Sequence, residues 1–240
     1  TGMCTLTYLP EQNNSPRLIT SNRDESPERK KAGFPDWHNV KESDLYFPKD
    51  GLAGGTWLAI NVNGIIACLL NGAFEQHEHN PPYRKSRGLI LTESLATGNP
   101  IEALKATDLT NIEPFTVVIF NDGIKEFRWD GKQKHYDSYD PAKPHIWSSA
   151  QLYTPDTIEK RKNWFNEWLE NHENPTSNEI LHFHHFGGEG DIYNDIRMNR
   201  DGQVQTTSIS CIEQGSDQIT FHHNDLLLNE EQTNSFKTAS

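Results

Sequence analysis

Residues 57–71 read Trp57-Leu58-Ala59-Ile60-Asn61-Val62-Asn63-Gly64-Ile65-Ile66-Ala67-Cys68-Leu69-Leu70-Asn71. Two apolar runs, 57–62 and 65–71, flank Asn63-Gly64, the dipeptide that most favours the backbone angles of a two-residue hairpin turn. The runs are apolar at nearly every position, without the alternation of a half-exposed strand, so both faces are expected to be covered. The stretch predicts a hairpin inside a sheet that has other layers on either side.

Working outward, residues 4–9 and 17–22 form a second strand pair across the polar turn EQNNSP. Residues 24–52, rich in proline and charge, read as a loop. Strands are expected at 115–121 and 124–129 across Asp122-Gly123, at 146–149, and as a closing hairpin at 206–212 and 218–223. Helical patterns cover 87–97 and 100–107, with Pro100 suited to a first helical position. Two more cover 156–172 and 176–186, the latter opening on Thr176-Ser177-Asn178-Glu179, a capping-box pattern. Hairpins, two helices, more strands, two helices and a last hairpin is not a doubly wound order. It predicts an α+β fold: a four-layer αββα sandwich of two largely antiparallel sheets, with helices on each outer face.

The chain has 240 residues, enough for one substantial core. Its 22 basic against 34 acidic residues give a net charge of −12, which repels phosphate backbones and anionic lipid heads. Nucleic acid and membrane surfaces are therefore poor partners, and a small molecule is the expected one. No apolar run approaches the roughly 20 residues that span a bilayer, and no signal-peptide pattern opens the chain. The three cysteines Cys4, Cys68 and Cys211 cannot all pair within one chain and have no zinc spacing, which suits a reducing cytoplasm. Thr1-Gly2 ahead of Met3 reads as a cloning scar, leaving residues 3–240 as a single domain with a natural start of Met-Cys.

Three segments carry a family resemblance. They are Met3-Cys4-Thr5; Asn22-Arg23-Asp24-Glu25; and the run from Gly54-Gly55-Thr56-Trp57-Leu58-Ala59 through Asn63-Gly64 to Leu69-Leu70-Asn71-Gly72. With Arg87-Gly88 ahead of a helix, these resemble the NRDE family, also called the transport-and-Golgi-organisation family. More distantly they are similar to the choloylglycine-hydrolase branch of N-terminal-nucleophile enzymes. The resemblance implies a sandwich of the N-terminal-nucleophile hydrolase type and puts Cys4, Arg23, Asp24 and Asn71 on catalytic positions. Ser149 and Thr207 stand where that pattern has asparagine and arginine.

The chemistry follows from the residue types. With Met3 removed, Cys4 would carry a thiol beside a free α-amine, whose ordinary pKa of about 7.7–8.0 suits a general base at neutral pH. The thiolate would attack the acyl carbon of a linear, non-peptide amide and form a covalent intermediate that water releases. Arg23 would favour the thiolate and Asp24 would hold or orient the amine. Asn71, an amide ending an apolar strand, would donate to the developing oxyanion. Asn22 and Glu25, with Gly55, Thr56 and Trp57, are expected around the substrate; Gly54-Gly55-Thr56 has no phosphate-loop continuation and predicts a close backbone approach.

The alternative is a carrier of haem or a lipid-like ligand on the same scaffold, since the family resemblance implies links to haem trafficking. The eleven histidines show no HExxH spacing, so no metal centre and no resident cofactor is expected, haem entering only as a carried ligand. In LHFHHF, His182 and His185 share a helical face and are expected to be exposed. The aromatics of residues 163–169 are expected to pack on the sheet.

Overall fold

The computed structural model of the protein describes residues 3–13 and 15–237. Thr1-Gly2, read above as a cloning scar, lies outside them, as do the side chains of Met3 and Cys4. In chain order the elements are β1 (Met3–Leu9), β2 (Arg17–Glu25), β3 (Pro35–Val40), β4 (Ser43–Pro48), β5 (Leu58–Asn61), β6 (Ile66–Asn71), α1 (Arg87–Ala96), α2 (Pro100–Ala106), β7 (Phe115–Phe120), β8 (Ile124–Trp129) and β9 (Lys134–Tyr139). They continue with β10 (His145–Ser148), α3 (Pro155–Glu170), α4 (Ser177–Phe186), β11 (Asn199–Arg200), β12 (Val204–Gln214), β13 (Gln218–Asp225) and β14 (Glu230–Lys237). The fold is α+β, with two antiparallel sheets and four helices.

The chain forms two compact units, one from the segment ending at Glu28 together with Ala142–Lys237, the other from Arg29–Pro141. The first unit holds a sheet in the order β10-β1-β2-β12-β13-β14, with β11 paired to β12. Its core joins Phe165 of α3 and Ile180 and Phe183 of α4 to Leu9, Leu18 and Cys211 of the sheet. The aromatics of α3 thus pack as the sequence pattern predicts. The helix α4 starts on the capping box expected at Thr176: its hydroxyl takes the Glu179 N–H while the Glu179 carboxylate takes the Thr176 N–H.

The second unit holds the sheet β3-β4-β5-β6-β7-β8-β9. Every residue of β5, β6 and β7 is buried, as the unbroken apolar runs require. Phe47, Leu91, Leu95, Phe115 and Phe127 anchor its core. The central hairpin differs in one detail from the two-residue turn expected. Ile60 pairs with Ile66, and the Gly64 N–H donates to the Asn61 carbonyl at 2.9 Å. Gly64 sits at φ +77°, so the loop is a three-residue one in which glycine supplies the left-handed position. The Asn61 amide oxygen secures it, accepting from the Asn63 and Ile65 N–H groups.

The corrections concern strands. Residues 24–52 are not a single loop: they contain the end of β2 and the hairpin β3–β4. Strands β9 and β14, and the two-residue β11, were also absent from the sequence reading. The longer missed regions each include an edge strand, β3, β9 or β14, at least half of whose residues are exposed. Polar edge strands discourage pairing with other chains and carry no apolar period to read.

Gly55 and Gly88 meet backbone to backbone. A Cβ on Gly55 would lie 2.3 Å from the Gly88 carbonyl carbon, and one on Gly88 would lie 2.9 Å from the Thr56 nitrogen. The backbone entering β5 therefore rests directly on the first turn of α1, the close approach expected of Gly54-Gly55-Thr56.

Candidate active site

The NRDE tetrapeptide lies inside β2, and all four side chains are buried: Asn22 0%, Arg23 6%, Asp24 0% and Glu25 2% exposed. Four consecutive buried polar residues are costly unless each is partnered. Strand pairing brings them beside the start of the chain. Cys4 is the register partner of Arg23 and Met3 that of Asp24. On the other side Asp24 faces Thr206 and Arg23 faces Ser208, with Thr207 inserted as a bulge between them. Bulges of this kind re-aim side chains near functional sites.

Asp24 accepts from the Thr206 hydroxyl at 2.6 Å on one oxygen and from the Tyr153 hydroxyl at 2.8 Å on the other. Burial pushes its carboxyl above the usual range, opposed by the nearby Arg161 guanidinium, the two hydroxyl bonds and Arg200. Tyr153 is itself buried, which drives its phenol far above the ordinary range and keeps it a donor. The Arg161 guanidinium carbon sits 3.6 Å from the centre of the Tyr153 ring, and that of Arg200 at 5.6 Å. Arg161 is fully buried. It donates to the Thr5 hydroxyl, the residue after Cys4, and to the carbonyls of Asn194 and Asp195.

Asn22 has a different task. Both of its amide hydrogens go to backbone carbonyls, those of His184 at 3.1 Å and Ile196 at 2.8 Å. Its oxygen lies 2.6 Å from His184 Nδ1, while His184 Nε2 lies 2.8 Å from the Thr7 hydroxyl. Burial pushes His184 down to about 3, with His185 and the Arg161 guanidinium adding to the effect, so the ring is neutral. The contacts assign the proton to Nδ1, donating to Asn22, with Nε2 accepting from Thr7. This network ties α4 to β1 and β2.

Arg23 donates to the Thr207 hydroxyl at 3.4 Å, and that hydroxyl donates to the Arg23 carbonyl at 3.1 Å. His223, whose Nδ1 lies 2.8 Å from the Ser210 hydroxyl, is pushed down to about 4 by burial, with Arg23 adding to the effect and Asp225 opposing it. Glu25 accepts the Ser26 N–H at 2.9 Å. Ser149, just after β10, uses its carbonyl to accept from Leu152 and Tyr153.

The remaining expected residues lie in the second unit. Thr56 donates its hydroxyl to the Pro48 carbonyl at 2.7 Å, and the Trp57 carbonyl accepts from Leu69 at 2.7 Å. Asn71 is buried at the end of β6, opposite Phe115. His77 and His79 both bond Glu113, which also pairs with Arg87 at 3.0 Å. His182 is exposed, as expected, but His185 is half-buried rather than exposed, and His184 is fully enclosed. Among the described residues no group of three or more His, Cys, Asp and Glu side chains is placed to hold a metal ion. Among them, too, no helix is long and apolar enough to cross a membrane.

The strand register therefore gathers positions 3–4 with Asn22–Glu25 and the Thr206–Ser208 bulge. Tyr153, Arg161 and His184 were not singled out in the sequence as parts of this arrangement. One signal was present for Arg161: it lies four residues before Phe165, which puts a charge on the buried face of α3.

Comparisons with known proteins bear on the fold and the family. Two variants of the conjugated bile acid hydrolase from Clostridium perfringens share the fold. One has 11% identity and a TM-score of 0.59, over 98% of this chain and 92% of that one. The other has 11% identity and a TM-score of 0.61, over 99% and 97%. The Caenorhabditis elegans ortholog of N-acylethanolamine-hydrolyzing acid amidase aligns at 8% identity and a TM-score of 0.60, over 88% of this chain and 92% of that one. At such identities the likeness is one of fold, that of the N-terminal-nucleophile hydrolases. A search of the curated proteins finds no match. The sequence itself matches the model of the Transport and Golgi organisation 2 family over residues 3–225. The chain belongs to the Transport and Golgi organisation 2 family.

Proposed function

We propose that this protein is an N-terminal-nucleophile hydrolase that cleaves a linear, non-peptide amide through Cys4 after loss of Met3. The observation that carries the reading is the strand register that pairs Cys4 with Arg23 and Met3 with the buried, doubly hydrogen-bonded Asp24. Isolated carboxylates are rarely buried, and one set beside the start of a chain suits the task of holding an α-ammonium. In the proposed reaction the α-amine of Cys4 takes the thiol proton and the thiolate attacks the acyl carbon. The C–N bond then breaks as the α-ammonium returns the proton to the leaving amine. Water, deprotonated by the same amine, cleaves the thioester and releases the carboxylic acid. A reducing compartment such as the cytoplasm suits a mechanism that needs a free thiol.

The test is expression from Met3 with nothing upstream, an intact mass, and a screen of acylated amines. Loss of Met3 and turnover abolished by Cys4→Ser are expected. A Cys4→Ser protein that hydrolyses as fast as the wild type sinks the reading. Absence of turnover together with saturable haem binding would favour a carrier instead.

A further inference from the structure

We infer that Tyr153, which lies in none of the family motifs, is a positioning residue of this site: its hydroxyl keeps Asp24 ionised and aimed for the α-amine of residue 4. The inference rests on the hydrolase reading above. A carboxylate with no exposed surface reverts to its neutral form unless donors and cations face it. Four such groups surround Asp24 among the described residues: the hydroxyls of Tyr153 and of Thr206 on β12, and the guanidinium groups of Arg161 on α3 and Arg200 on β11.

Their roles differ. Thr206 is the strand neighbour of Asp24, so its bond follows from sheet pairing. Tyr153 comes from the segment between β10 and α3 and is 129 residues away in sequence. Its ring packs against the Arg161 guanidinium, and Arg161 in turn holds the Thr5 hydroxyl. Tyr153 thereby joins Asp24 to the same arginine that anchors β1 next to Cys4. Phenylalanine at this position keeps the ring and its arginine contacts and deletes only the donor to the ionised carboxylate.

The experiment compares Tyr153→Phe with the wild type, both full chains starting at Met3. One readout is the pH–rate profile on the acylated amines used above. The other is the titration of the Asp24 carboxyl carbon by NMR, assigned by its absence in Asp24→Asn. Loss of one charge-assisted hydrogen bond should lower kcat/KM at pH 7 about tenfold. The acidic limb of the profile and the Asp24 titration should both move to higher pH, because removing a donor destabilises the charged form. Thr206→Val deletes the second donor and should shift the titration in the same direction, which keeps the test open should Tyr153→Phe fail to fold. An unmoved Asp24 titration, or a rate loss equal at every pH, overturns the proposal. If the wild type hydrolyses nothing, the hydrolase reading fails, and the Asp24 titration alone then decides whether Tyr153 tunes that carboxylate.

Discussion

Acid should loosen the first unit through two buried histidines. The fold holds His184 neutral, at about 3, and His223 neutral, at about 4. In the unfolded chain a histidine titrates near 6.5. Both folded values lie below the unfolded one, so between about pH 6.5 and pH 4 the unfolded state binds more protons. Their contribution is complete above that window and is lost as pH falls. Each histidine contributes a slope approaching about 1.4 kcal/mol per pH unit. Going from pH 7 to pH 5 therefore costs roughly 2 kcal/mol per ring, or roughly 4 kcal/mol for both, a large part of a typical stability of about 5–15 kcal/mol.

The assay is urea unfolding followed by tryptophan fluorescence at pH 7, 6 and 5, for the wild type and for His184→Gln. The variant should be less stable at pH 7, since it disturbs the bonds to Asn22 and Thr7. Its stability should nevertheless fall less steeply with acid, by about 1.2 kcal/mol per pH unit between pH 6 and pH 5. Asp24, raised by burial, titrates with the opposite sign but is common to both proteins and cancels in the difference. Parallel slopes for the two proteins would refute the neutral-imidazole account of the Thr7–His184–Asn22 network.

Other expectations are simpler. Gly55→Ala drives a methyl group into the Gly88 backbone and should cost about 3 kcal/mol or more, read as a fall in the urea midpoint; a neutral result would contradict the close approach of β5 and α1. Thr176→Ala removes the α4 capping box and should destabilise by about 1 kcal/mol, seen as a lower melting temperature. Phe165→Ala empties a site that is 1% exposed in the first core and should cost about 3–5 kcal/mol by the same melt.

How much was legible follows from where each signal resides. The strands β5 to β7 announce themselves because a layer buried on both faces must be apolar at successive positions. The helices α1 to α4 were legible from their helical patterns, with Pro100 marking the start of α2 and the Thr176 capping box that of α4. Strands β3, β9 and β14 were not, because at a sheet edge the sequence is under pressure to be polar. Residues 22–25 could be singled out by resemblance, yet their letters alone describe an ordinary polar turn as well as they describe a buried strand.

The sequence by itself determined the α+β class, the central hairpin, the helix starts and the positions of the NRDE and Met-Cys motifs. All of these depend on residues within a few positions of one another, where chain geometry is nearly the same in every protein. Only the tertiary structure decided that Asn22 serves His184, that Asp24 is clasped by Tyr153 and Thr206, and that Arg161 is buried against Thr5. Those bonds join residues separated by more than 125 positions. No local pattern encodes such pairs: they form because burying the apolar faces brings these strands and helices together, and the enclosed polar groups must then find partners.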